Sequence, residues 1–309
     1  MPHLALADWE SLPPLPEPAA GFMAGMMKGK IIVAGGTNWR DGTKRWLDTV
    51  WVFDPATSQW SHGPKLPHSL AYAGCASDGT RLYFAGGADG RQGRKEVHAL
   101  DAGLKLTHIA DLPQPVVFGG AGLCEGGLCV FGGTPDPDDW SKGGNQLQRV
   151  NLAAGTTTAL ASLKQFDHAI GIPVVIAAKN SLLTFTGAWT DAQSQAHNAA
   201  AAFHYDPATD NWRTLAPYPE AIRGVAGIML DEQHVYLAGG YGTDAEGFIA
   251  RAYLYDLRTN QYTPAKSLPL AINTTLVKGG EFIYLLGGED QMKHRSAACY
   301  RIRVSELLP

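Results

Sequence analysis

The chain has 309 residues, 45% of them apolar and 17% charged, and its 25 Lys and Arg against 29 Asp and Glu leave a formal charge of −4. That composition suits a folded globular chain and argues against disorder. The absence of a basic stripe argues against a nucleic-acid partner, and no run of about 18 apolar residues is present to span a membrane. Met1 to Pro18 holds Asp8, Glu10 and five prolines. It has neither the basic start nor the apolar stretch of a secretory leader, so a cytoplasmic location is expected.

In chain order, the first predicted strand is a short one at Trp9, followed by Leu12-Pro13 and Leu15-Pro16. A small-residue strand comes next, Gly21 to Met26. Then an apolar β-branched strand, Ile31-Ile32-Val33, ends in the doublet Gly35-Gly36. After a variable loop, a third strand ends at an acidic turn, Phe53-Asp54-Pro55. A fourth, centred on Trp60, leads into Leu66-Pro67. The whole unit then recurs. Doublets stand at Gly86-Gly87, Gly132-Gly133, Gly239-Gly240 and Gly287-Gly288, with a degenerate copy at Phe185-Thr186-Gly187. Six copies at a spacing of about 50 residues match the Kelch period. The sixth unit stops at Pro309 after three strands, so the Trp9 strand supplies its missing fourth. This closes a ring and removes a bare sheet edge. The expected fold is therefore all-β: one six-bladed Kelch-type β-propeller domain over residues 1–309, its N-terminal strand closing the last blade.

Cys75, Cys124, Cys129 and Cys299 form no C-x-x-C pair and have no histidine at zinc-ligand spacing. They are expected as free, buried thiols, although Cys124 and Cys129 flank a tight Glu-Gly-Gly turn and could face each other across a hairpin.

The loops after the doublets and the approaches to the innermost strands should open on one end of the channel, where binding residues gather. The first loop carries Asn38, Trp39, Arg45 and Trp46, and two tryptophans in one exposed loop suggest a binding role. Later loops carry Arg94, Trp140, Trp189 and His197. The approaches carry Tyr72, His168, Arg223 and Asn273. Aromatic faces with Arg, Asn and carboxylates suit a polyhydroxylated ligand. Directly after the doublets stand Thr37, Ala88, Thr134, Ala188, Tyr241 and Glu289, so only blade six places a carboxylate there. Arg295 lies six residues on. Two readings are open: Glu289 as a general base with Arg295 clamping a substrate carboxylate, or a structural ion pair between them.

The chain also resembles the N-acetylneuraminate epimerase (sialic acid mutarotase) family of six-bladed Kelch propellers, in a shifted blade order. The resemblance rests on Gly21-Phe22-Met23-Ala24-Gly25, on Ile31 through Gly36, and on a long loop with Asn38, Asp41-Gly42, Trp46 and Asp48-Thr49-Val50. Leu66-Pro67 with Leu70 to Gly74, and Gly288-Glu289 followed by Arg295, complete it. It implies a circularly permuted isomerase that interconverts anomers of an acidic sugar by acid–base ring opening, without metal or cofactor. Glu289 and Arg295 would be catalytic. Asn38, Arg45, Trp46, Tyr72, Arg94, His168, Arg223 and Asn273 would bind the sugar. The alternative is a non-catalytic Kelch propeller that binds a carbohydrate or a protein. The repeated Ser-x-Asp-x-Gly-x-Thr-Trp turns of sialidases are absent, and the ten histidines show no clustering of the kind a copper radical oxidase needs.

Overall fold

The computed structural model describes residues 9–309, which fold as six four-stranded antiparallel sheets arranged as blades around a channel. From the inside outward, blade one runs Met23–Met27, Lys30–Ala34, Val50–Asp54 and Gln59–His62. The innermost strands of blades two to six are Gly74–Ser77, Gly120–Cys124, Val174–Ala178, Ala226–Met229 and Asn273–Gly279. Each packs against its two neighbours, the sixth against the first, so the ring is complete. The small residues there are a packing requirement. A Cβ on Gly120 would come within 2.3 Å of Val175 in the next blade, and one on Gly25 within 2.8 Å of Ser77. The second strand of each blade is sandwiched by its neighbours, and Ile31, Leu82, Leu128, Val235 and Ile283 are wholly buried. Burial on both faces is why these strands read as unbroken apolar runs rather than alternating ones.

The doublets join the blades. The second glycine's N–H donates to a carbonyl at the approach to the next blade: Gly36 to Leu70 (2.8 Å), Gly87 to Val116 (2.7 Å), Gly133 to Ile170 (2.9 Å), Gly240 to Ile272 (2.9 Å) and Gly288 to Ala19 (2.9 Å). The degenerate copy makes the same bond, Gly187 to Ile222, at 3.3 Å. In blade one the doublet holds φ +67° and +105°, a backbone that residues with a Cβ resist. The 50-residue period is thus the repeat of one inter-blade joint.

The chain closes its own ring. Glu10–Leu12 pairs antiparallel with His294–Arg303, with Glu10 opposite Arg301, Ser11 opposite Tyr300 and Leu12 opposite Cys299. Trp9, expected within this strand, sits one residue ahead of it. Its indole Nε1 donates to the Ser267 carbonyl at 3.0 Å, which carries the chain off the ladder toward blade five. The part of the expected closing segment at residues 5–8 lies outside the described residues.

Cys124 and Cys129 correct the free-thiol expectation, for they form a disulfide. The turn has two residues rather than three. Glu125 and Gly126 both hold positive φ, as a tight hairpin turn demands, and Gly127 already pairs with Cys124. Side chains alternate along a strand, so Cys129 shares the face of Gly127 and hence of Cys124. Cys75 and Cys299 remain thiols. Two post-doublet loops are themselves hairpins, Thr37–Arg40 with Thr43–Trp46 and Ala188–Thr190 with Ala196–Asn198. In blade six the doublet lies inside the long strand Phe282–Gln291. Among the described residues, no helix is long and apolar enough to cross a membrane.

Candidate binding site at the channel mouth

Backbone bridges place all the post-doublet segments at one end. Ala20 faces Thr37, Ala71 faces Ala88, Val117 faces Thr134, Gly171 faces Ala188, Arg223 faces Tyr241 and Asn273 faces Glu289. Blades one and six meet there: His294–Arg303 packs on Thr37–Arg40, and Lys293 lies 5.7 Å from the Trp39 ring. Glu289 and Asn38 therefore open on the same end.

The dominant feature of this mouth is a run of aromatic rings. Trp46 meets Tyr72 edge-on at 5.6 Å, Tyr72 meets Phe118 at 4.6 Å, and Phe118 meets Trp140 at 5.1 Å. Lys44 Nζ stands 4.8 Å from both the Trp46 and Tyr72 rings. Glycines make room: a Cβ on Gly90 would collide with Trp46, one on Gly21 with Tyr72 and one on Gly171 with Trp140. The Tyr72 hydroxyl hydrogen-bonds Thr37 Oγ1 at 3.0 Å.

Part of this run is held under backbone strain. Tyr72, Phe118 and Ile172 occupy equivalent positions in blades two, three and four, each with φ between 53° and 60°. A bulky residue there costs roughly 1–3 kcal/mol. A chain of inter-blade bonds fixes them: Tyr72 N–H donates to Gly21 O (2.7 Å), Phe118 N–H to Tyr72 O (3.0 Å) and Ile172 N–H to Phe118 O (2.7 Å). Phe118 and Ile172 escaped the sequence reading. The signal was the glycine at this same slot in blades one and five, Gly21 and Gly224, which marks a left-handed position.

The other named residues divide into open and occupied. Arg45, opposite Asn38 on the first hairpin, is exposed. Asn38 donates to Glu17 Oε1 at 3.1 Å, and Thr49 donates to the other oxygen, so Asn38 pins the hairpin to the N-terminal segment. His168 stacks on Trp189 at 3.7 Å, and His197 covers the other face at 4.3 Å. His197 Nε2 lies 2.8 Å from Asp191, and this bond holds the Asp191 carboxyl below its ordinary range. Asn273 packs against Gly224. Arg94 is engaged within the protein: it holds Asp89 at 3.2 Å, Glu96 at 2.5 Å and His68 at 3.1 Å. Burial opposes ionisation of Asp89, but the Arg91 and Gln92 N–H groups and the Arg94 charge outweigh it and hold its carboxyl low.

Glu289 and Arg295 follow the ion-pair reading, 2.5 Å apart, with the Arg295 side chain only 5% exposed and its Nη1 also donating to the His294 carbonyl. Among the described residues no group of His, Cys, Asp and Glu is arranged to hold a metal. Below the mouth the channel is a cavity of about 570 Å³ walled by Met26, Val175, Ile228 and Leu276. Among the described residues, Lys278 is the charged side chain on its wall, and it donates to the Leu230 carbonyl.

Comparison with known proteins agrees with the repeat. A family model described as Kelch motif matches residues 18–67. The chain is 30% identical over 156 residues to the Kelch-like protein terF of Aspergillus terreus, covering 47% of this chain and 33% of that one. It is 24% identical over 275 residues to Kelch-like protein 25 of Xenopus tropicalis (89% and 37%), and 23% identical over 254 residues to human Kelch-like protein 23 (79% and 41%). The chain spans about a third of the length of the first relatives it matches. These findings overturn the isomerase expectation. The relatives bear the name Kelch-like and none of those named an isomerase's, while Glu289 and Arg295 are engaged with one another.

Proposed function

We propose that this Kelch-repeat propeller is a non-catalytic binding module whose channel mouth takes an extended segment of a partner protein. One observation carries the reading: the unbroken run Trp46–Tyr72–Phe118–Trp140, drawn from blades one to three and reaching Gly171 at the approach to blade four. Centroid steps of 5.6, 4.6 and 5.1 Å give a track for roughly four extended residues, at about 3.3 Å per residue. That length exceeds one sugar ring. Aromatic side chains that are rigid before binding lose little entropy on contact, which is why they dominate interface energetics. Strain at three mouth positions supports a site held in shape in advance. The Kelch-like relatives support a propeller of binding type.

A random peptide library selected on the immobilised protein should return binders that compete with one another. Phe118→Ala and Trp140→Ala should each weaken them by about 30-fold or more, the size of an interface hot spot. Lys179→Ala, at the opposite end beside Glu232, should leave affinity unchanged. Melting curves keep folding defects separate. Binders indifferent to Phe118→Ala and Trp140→Ala, or no binder at all, would count against this reading.

A further inference from the structure

Beside the aromatic run, between blades three, four and five, lies a cavity of about 350 Å³ whose wall includes Asp138, Trp140, Ile172, Thr190, Ser194 and Arg223. Arg223 differs from the other buried or half-buried arginines. Arg94, Arg149, Arg295 and Arg301 each hold a carboxylate. Arg223 has no ion pair among the described residues, yet it is not loose. Its guanidinium lies 4.4 Å from the centre of the Tyr241 ring, and its Nη1 donates to Asn198 Oδ1 at 2.8 Å. The Asn198 amide is fixed in turn, because its Nδ2 donates to the carbonyls of Tyr241 (3.1 Å) and Gly242 (2.7 Å). That leaves only Oδ1 to face the arginine.

A half-buried cation costs free energy when it has no counter-charge. Here a cation is oriented through its face and one nitrogen, with the rest of its donor fork uncommitted among the described residues on a cavity wall. A planar fork presented this way matches a carboxylate bidentately. Trp140 and Ile172 supply flat and branched apolar surface in the same cavity, whose volume suits one side chain and its backbone. Asp138, which has no cationic partner among the described residues, lines it from blade three.

The geometry points to a site for a carboxylate joined to an apolar group of one-residue size. The carboxylate lies on the uncommitted edge of Arg223, the apolar group on Trp140 and Ile172, and an adjoining amide N–H reaches Asp138. This rests on the peptide-binding reading above and names the end of the docked segment. The carboxylate is either a chain terminus or an Asp or Glu side chain.

The test uses N-acetyl-L-leucine and N-acetyl-L-leucinamide, titrated into the full chain and followed by ligand-observed NMR. The acid should bind about 10–100-fold more tightly than the amide, the range of a charge-assisted bidentate contact. Arg223→Met should abolish the difference, and Arg223→Lys should recover only part of it. Peptides selected on the protein are then compared as free acids and as C-terminal amides. Loss on amidation assigns a terminal carboxylate. Indifference to amidation with loss on Asp→Asn or Glu→Gln inside the peptide assigns a side chain. Equal binding of acid and amide, or a preference for the acid that survives Arg223→Met, would overturn the site. Peptides that still depend on Phe118 but ignore Arg223 would remove this inference and leave the binding module standing.

Discussion

Replacing Gly35 with alanine is expected to unfold the propeller or drive it into the insoluble fraction. Two costs combine. Gly35 holds φ +67°, where an L-residue pays about 1–2 kcal/mol. The larger cost is collision: a Cβ would sit 2.1 Å from the Leu70 carbonyl oxygen. That oxygen is backbone of the next blade, and it is the acceptor of the Gly36 joint at 2.8 Å. It cannot retreat without breaking the bond that holds blades one and two together. The loss should exceed about 4 kcal/mol, against a total stability on the order of 5–15 kcal/mol. Gly29→Ala is the control. Gly29 has φ +79° with no atom within 4 Å of an added Cβ, so only the conformational cost of about 1–2 kcal/mol applies. Soluble yield, and urea unfolding of whatever remains folded, separate the two costs, and equal losses in the two variants would argue against the inter-blade collision.

The second large effect falls on the closing segment. Leu15 is 3% exposed, fills space against Gly287, and its N–H donates to the Ala297 carbonyl at 2.8 Å. Leu15→Ala should cost about 2–5 kcal/mol, the range for a buried leucine truncated to alanine. The neighbouring ion pair should matter far less. Arg301 holds both oxygens of Glu10 at 2.7 and 2.9 Å, but Glu10 is solvent-exposed. Glu10→Gln should cost below about 1 kcal/mol. The Arg301 hydrogen bond holds the Glu10 carboxyl below its ordinary range. Its contribution is therefore present above the unfolded pKa and is lost as pH falls through the lower, folded one. If Glu10→Gln proved the more damaging of the two in thermal melts, the ladder would be held by charge rather than by burial.

The fold was legible because a joint repeated six times leaves a mark six times. Even the ring closure could be read, since the unit ending at Pro309 lacked a strand that Trp9 to Pro16 offered. The site was legible only where it used unusual residues in loops. Trp46, Tyr72 and Arg223 stand at the mouth, but Arg94 looked identical in sequence and is tied to Asp89 and Glu96. Whether an arginine is free depends on neighbours two strands away, which spacing does not encode. Phe118 and Ile172 drew no notice in the sequence, because a left-handed backbone leaves its mark on glycine and not on the bulky residue forced to copy it. The Cys124–Cys129 disulfide was not legible for a different reason: two cysteines flanking a turn can pair across the hairpin or sit as small buried hydrophobes, and spacing does not choose between them.

The degenerate doublet of blade four has a mechanical consequence. A closed ring is a chain of joints in series, and strain collects at the poorest. Thr186 holds φ +55° where other blades have glycine, its hydroxyl is buried with no hydrogen-bond partner among the described residues, and the joint beyond it, at 3.3 Å, is the longest of the six. That joint ties blade four to blade five. Directly over it lies the cavity that Trp140 enters from blade three and Arg223 from blade five. A ligand gripping both would act as a strap across the seam with the longest of these joints, so occupancy would tighten the ring there.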